Sequence, residues 1–141
     1  MGKTKVTDFL YEALSYKIRG CAFKVYNTLG FGHKEKVYQR ALSSELKLAG
    51  IEYEQEKILS IAYNQEKVGV YRPDFVIDNK ILVEIKAVPF MVKNYETQLT
   101  YYLKGTNYRL GFLINFGSPK LEIRRRVWTP NYQRKSAINQ R

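Results

Sequence analysis

The stretch from Val70 to Ala87 constrains the chain most. It reads as two short strands joined by a tight turn at Asp78-Asn79-Lys80. Side chains alternate along a strand, so Val70, Arg72, Asp74 and Val76 share one face before the turn. After it, Leu82, Glu84 and Lys86 share one face, and Ile81, Val83, Ile85 and Ala87 fill the other. A hairpin built this way brings Asp74, Glu84 and Lys86 into one small space. Two carboxylates held together repel, so such a site must protonate, pair with a cation, or bind a metal. Magnesium favours a few carboxylates plus waters. A lysine beside it can orient or deprotonate a water, which suits metal-assisted hydrolysis of a phosphodiester. The competing reading is plainer. Glu and Lys on the open face of an antiparallel strand often form only a solvated ion pair, which is worth little. Spacing alone leaves the two readings level.

The rest of the chain narrows the chemistry. At 141 residues it fits one domain. A domain of this size buries roughly two-thirds of its unfolded surface and needs no staples. A single cysteine, Cys21, excludes an intramolecular disulfide and a cysteine-built zinc site. It lies on the apolar side of a helical pattern, which predicts a buried thiol. A single histidine, His33, argues against a His-based triad or a multi-histidine metal site and is expected in an exposed loop. Carboxylates, lysine and tyrosine remain. The formal charge of +11, from 24 Lys and Arg against 13 Asp and Glu, favours a polyanionic partner, nucleic acid before a membrane surface. No apolar run reaches the ~18 residues of a membrane span. The segment Met1-Gly-Lys-Thr-Lys-Val-Thr-Asp8 leads into no signal-peptide core, and Val6 stands where a myristoylation signal wants Ser or Thr. The expectation is a soluble, cytoplasmic protein.

In chain order, Thr7 can cap a first helix whose apolar stripe is Leu10, Leu14, Ile18, Cys21, Val25 and Leu29. Gly30-Phe-Gly32 stops it. A second helix is predicted from about Lys34 to Ala49, with Val37, Ala41, Leu42, Leu46 and Leu48 or Ala49 on its buried side. Glu35 lies in its first turn, either compensating the helix dipole or aiming a third carboxylate at the hairpin. Residues 51–63 look extended, 64–67 turn, and Val68 to Ile77 returns as a strand. Residues 81–87 form the next strand, ended by Pro89. A third helix is expected from about Lys93 to Lys104, stopped by Gly105, with Tyr95, Leu99, Tyr102 and Leu103 at helical spacing. Arg109 to Phe116 is apolar enough for a buried strand. Gly117-Ser-Pro119 turns into a last strand, Leu121 to Trp128. The order is α-α-β-β-β-α-β-β, a mixed sheet with helices against it. One domain is expected over residues 1–128, with a basic, fraying tail over 129–141. Arg124 and Arg126 face one way on the last strand and could contact phosphates, or could serve to keep an edge strand from sticking.

Several of these residues form a familiar set. Gly32-His-Lys-Glu35-Lys-Val-Tyr38 matches the pattern that names the GxxExxY family. Arg72-Pro-Asp74, Val83-Glu84-Ile-Lys86, Gln98-Leu-Thr-Tyr-Tyr102 and Leu113-Ile-Asn-Phe-Gly117 follow in that family's order. The chain therefore resembles the GxxExxY family of the PD-(D/E)XK nuclease-like superfamily from about residue 15 to residue 128. The resemblance implies an α/β fold with a restriction-endonuclease-like α-β-β-β-α-β core. It also implies that Asp74 and Glu84 are metal-binding carboxylates, that Lys86 is the catalytic lysine, and that Glu35 adds a metal ligand directly or through water. Gln98 and Tyr102, four apart on one helix face, resemble the QxxxY motif placed near the metal and the DNA. Phe31 departs from the family's frequent Gly-Pro-Gly, and His33 and Lys34 are more polar than its usual pair.

Taken together, these readings imply a Mg2+-dependent nuclease, with Mn2+ as a substitute metal. Lys86, Asp74, Glu84 and Glu35 would carry catalysis. Gln98, Tyr102, Arg72, Arg124 and Arg126 would lie against the substrate. The substrate class is nucleic acid, DNA favoured over RNA, with no base-reading element in view. The alternative is a nucleic-acid-binding module with the nuclease fold and no turnover, because fold and function separate readily. A third reading is a protein-interaction domain, homodimeric through a tyrosine-rich surface.

Overall fold

The computed structural model describes residues 10–129. Two helices open it, α1 (Glu12–Leu29) and α2 (Glu35–Leu48). Five strands follow: β1 (Tyr53–Gln55), β2 (Leu59–Tyr63), β3 (Glu66–Tyr71), β4 (Phe75–Ile77) and β5 (Ile81–Lys86). Then come α3 (Lys93–Thr106), β6 (Leu110–Asn115) and β7 (Glu122–Val127). The main sheet runs β1-β4-β5-β6-β7. Only β5 and β6 pair in parallel, with Glu84 opposite Leu113 and Lys86 opposite Asn115. Parallel neighbours need a crossover, and α3 supplies it. β2 and β3 form a separate two-stranded ribbon.

Strand alternation sorts the core into two layers. Phe75, Ile77, Ile81, Val83, Ile85, Phe112 and Ile114 pack with Ile18, Ala22, Val25, Leu42 and Leu46 of α1 and α2. Val76, Leu82 and Leu113 point the other way, toward Leu99 and Leu103 of α3 and toward Leu59 and Tyr71 of the ribbon. β6 is buried along its whole length, which is why its sequence is apolar at successive positions. Each fully buried Phe or Leu here contributes about 2 kcal/mol.

The predicted order holds, with four differences. Residues 68–77 are not one strand. Pro73 has no amide to give a ladder, so β3 ends at Tyr71 and β4 starts at Phe75 in another sheet. The break turns Tyr71 inward and leaves Arg72 exposed. Residues 51–63 divide in the same way, β1 joining the main sheet and β2 the ribbon. On α2, Val37 and Leu48 are exposed, and Tyr38 takes the buried place. On α3, Gly105 lies inside the helix beside Ile61, and Asn107 in the left-handed conformation ends it. Thr7 and residues 130–141 lie outside the described residues.

Two local devices fix the end of the sheet where β5 finishes. Tyr38 is fully buried and stacks on Phe116 with ring centroids 4.7 Å apart. Its hydroxyl donates to the Gly30 carbonyl at 2.6 Å and accepts from the His33 amide at 3.2 Å. This pins the Gly30–Lys34 turn, and with it the start of α2. Gly30 and Gly32 have φ of +67° and +110°, which favours glycine. Beyond β5, the buried Asn115 side chain accepts from Val88 N at 3.0 Å and donates to Val88 O at 2.9 Å. Gly117 sits so close to this segment that an added Cβ would lie 2.2 Å from Val88 N. Main chain cannot move aside as a side chain does. Gly117→Ala is therefore expected to destabilise the fold by at least ~2 kcal/mol, read as a lower urea midpoint. An unchanged midpoint would mean that residues 87 and 88 shift freely.

Candidate active site

The turn between β4 and β5 sets the site's geometry. Asp78 and Asn79 both have positive φ (50° and 54°), the two-residue hairpin geometry that matches strand twist. It fixes the register at Phe75 opposite Val83. Glu84 and Lys86 then share one face, as expected, and it is the face toward α3. Asp74 stands just before β4, and its Oδ2 accepts the Ile85 amide at 2.7 Å. The acid is thereby clamped to the strand that carries Glu84 and Lys86.

Glu35 reaches the same place from the first turn of α2. Gln39, one helical turn on, donates to Asp74 Oδ1 at 3.1 Å and lies 3.5 Å from Glu35 Oε1. Glu84 accepts a short hydrogen bond from the Tyr71 hydroxyl. Tyr71 stacks on Tyr102 with centroids 3.6 Å apart, and Gln98 donates to the Tyr102 hydroxyl at 3.1 Å. Lys86 Nζ lies 4.4 Å from the centre of the Tyr95 ring.

The electrostatics show that these groups feel one another. Burial first and Asp74 second raise the Glu84 carboxyl, against the Tyr71 hydrogen bond and Lys86, to about 7. Asp74 is raised by burial, offset by the Ile85 amide, Lys86 and Lys36, with Glu56 adding to the rise. Glu35 is raised by burial and by Asp74, against Lys86. Lys86 thus acts on all three acids, yet among the described residues none of the three makes an ion pair.

Two expected residues stand elsewhere. Arg124 and Arg126 both bind Glu96 of α3, Arg124 Nε at 3.1 Å from Glu96 Oε1 and Arg126 through Nη2 to Oε2. Arg124 also pairs with Glu122 at 3.2 Å. They are on the α3 face, two strands from β5, Arg124 level with Glu84 through Leu113 and Arg126 level with Leu82 through Gly111. Arg72 is solvent-exposed beside Asp74 in sequence and makes no ion pair among the described residues. Gln39, Tyr71 and Glu96 escaped the sequence reading. Gln39 carried a signal, since four residues separate it from Glu35 on one helix face. Tyr71 carried none, because an unbroken strand would have turned it away from Asp74.

Among the described residues no three His, Cys, Asp or Glu side chains come close enough to ligate one ion. Asp74 and Glu84 nevertheless fit a divalent cation. They are hard oxygen donors, partly buried, with raised affinities for protons and, among the described residues, no ion pair. Mg2+ takes one or two carboxylates and keeps its waters. Glu35, tethered by Gln39, suits contact through water.

The raised acids make stability depend on pH. A carboxyl with an ordinary value of 4.5 and about 7 in the fold favours folding in its protonated form. That contribution is complete below about 4.5 and is lost as pH rises through about 7. Unfolding free energy in EDTA should therefore fall by a few kcal/mol between pH 5 and pH 8. Glu84→Gln should flatten the fall. Equal slopes for both proteins in urea titrations would contradict the burial assigned to Glu84.

Comparison with known proteins gives the same architecture. The crystal structure of SSO0001 superposes on this one with a TM-score of 0.50 at 20% sequence identity, covering 76% of this chain and 59% of that one. At that identity the likeness concerns the fold alone. No curated protein is similar enough to this chain to be matched with it. The model of the PD-(D/E)XK nuclease superfamily matches residues 12–126, the span that holds both helical layers, Asp74, Glu84, Lys86 and the α3 motif, and the chain belongs to that superfamily.

Proposed function

We propose that the protein is a metal-dependent nuclease that hydrolyses phosphodiester bonds of nucleic acid without sequence specificity, DNA being the first substrate to test. One observation supports the reading: Glu35, Asp74 and Glu84 converge within reach of Lys86, which lowers all three, while burial raises all three and Asp74 raises the other two. Asp74 and Glu84 would hold Mg2+ or Mn2+, which when bound supplies Lewis acidity at the scissile phosphate and a more acidic water. The chain's own groups do the rest. Lys86 Nζ orients the attacking water in line with the phosphorus and stabilises developing charge on a phosphate oxygen. Glu35 accepts a hydrogen bond from a neighbouring water. Gln98 and Tyr102 lie beside the substrate, and the net charge of +11 attracts the phosphate backbone.

A second reading is a nucleic-acid-binding module with this fold and no turnover. The absence of a three-ligand cluster among the described residues favours it. Isothermal titration separates the two: no Mg2+ or Mn2+ binding at millimolar concentration supports the module.

The test is a cleavage panel of labelled single- and double-stranded DNA and RNA with Mg2+ and Mn2+. Wild type should cleave at least one substrate, and EDTA should stop it. Asp74→Ala should be inactive. Lys86→Ala should lose at least ~100-fold in rate while still binding substrate. Full activity in Lys86→Ala, or cleavage in EDTA, would sink the mechanism.

A further inference from the structure

Tyr71 belongs to none of the motifs that mark the site, yet it makes the most direct side-chain contact to Glu84. It ends β3, where Pro73 breaks the strand and turns the ring inward. The residue is 6% exposed, in one apolar cluster with Leu59, Leu82, Leu99 and Leu113. A hydroxyl carried into such a layer must find a partner, since burying it unpaired is costly. The partner is a carboxylate, Glu84 Oε1.

A core tyrosine could satisfy its hydroxyl in this way with no bearing on function. Three features point further. The bond reaches across elements, from the ribbon to the main sheet, so it fixes the Glu84 side chain against a frame other than its own strand. The Tyr71 ring is held in turn by Tyr102, stacked at 3.6 Å, and Tyr102 by Gln98 at 3.1 Å. A second, similar restraint acts on the other acid, where Gln39 and the Ile85 amide hold one oxygen each of Asp74. Both acids are therefore oriented by neighbours before any ligand arrives. Groups that orient metal ligands typically set affinity by 10- to 100-fold.

We propose that Tyr71 is a positioning residue: its hydroxyl sets the rotamer of Glu84 so that Glu84 and Asp74 share one divalent cation, with Tyr102 and Gln98 bracing its ring. This rests on the metal-dependent reading above. It gives the α3 motif a role beyond touching substrate, because Gln98 and Tyr102 act on Glu84 through the Tyr71 ring.

The experiment measures Mn2+ dissociation constants by isothermal titration on folded, full-length protein, checked by circular dichroism. Tyr71→Phe removes one oxygen and keeps the stacked ring. It should weaken Mn2+ binding by at least tenfold, and cleavage should recover as Mn2+ is raised. Tyr102→Ala keeps the Tyr71 hydroxyl and removes the brace, and should weaken binding by at least threefold. Tyr53→Phe is the control. Its hydroxyl bonds Ser43 at 2.5 Å on the α2 side, and its loss should leave Mn2+ affinity unchanged. Tyr71→Phe binding within threefold of wild type overturns the proposal, as does an equal loss in Tyr53→Phe. Should Tyr71→Phe not fold, Tyr102→Ala decides by the same threefold limit. Wild type that binds no Mn2+ removes the metal reading itself, a result distinct from wild type and Tyr71→Phe binding alike.

Discussion

The hydrogen bond from the Ile85 amide to Asp74 is where fold and site become one object. The donor is a main-chain group of the strand that carries Glu84 and Lys86 on either side. The acceptor is a side chain from the hairpin's other arm. The bond needs the hairpin register, and the register needs the left-handed turn at Asp78 and Asn79. It also satisfies a carboxylate that burial penalises. A one-residue slip would send Glu84 and Lys86 into the layer under α1 and α2 and would unmake the site along with the core.

Much of this was legible in the sequence because Glu84 and Lys86 alternate with buried Val83 and Ile85 in β5 and because the hairpin is local. The three helices were legible from their apolar stripes, although Tyr38 and Val37 exchanged places. An amphipathic reading favours the aliphatic residue, whereas Tyr38 is buried because its hydroxyl finds the Gly30 carbonyl and its ring finds Phe116, far along the chain. The break at Pro73 was the costliest miss. Proline at a strand end is compatible with either continuation or a change of sheet, and only tertiary packing decides. With the break unseen, the parity of every residue before it was inverted, so Arg72 was placed beside Asp74 and Tyr71 was turned away. Asp74, Glu84 and Lys86 were legible as candidates from hairpin parity and Glu35 from its place in the first turn of α2, and the resemblance then implied a role for each. Tyr71, which orients Glu84, was not legible, because the break at Pro73 that turns it inward is decided by tertiary packing.

The arginines of β7 illustrate how charge counting misleads when geometry is unknown. A row of three arginines reads as a surface for phosphate. In the fold, Arg124 and Arg126 converge on one glutamate of the crossover helix. Part of the basic surplus is therefore used to hold α3 against the edge of the sheet. An exposed pair of this kind contributes little alone, but two guanidinium groups on one carboxylate restrict how far that helix can pivot.

Parallel pairing of β5 with β6 has a consequence for direction of approach. The crossover lays α3 across the sheet, on the face that carries Glu84 and Lys86. β5 finishes at Lys86, at one end of that face. Both α2 and α3 begin there, as Glu35 beside Asp74 and Tyr95 against Lys86 attest. Each helix start carries a partial positive charge of about half a unit. An incoming anion thus meets two helix starts beside the carboxylates, and a field that would otherwise repel it is partly offset there.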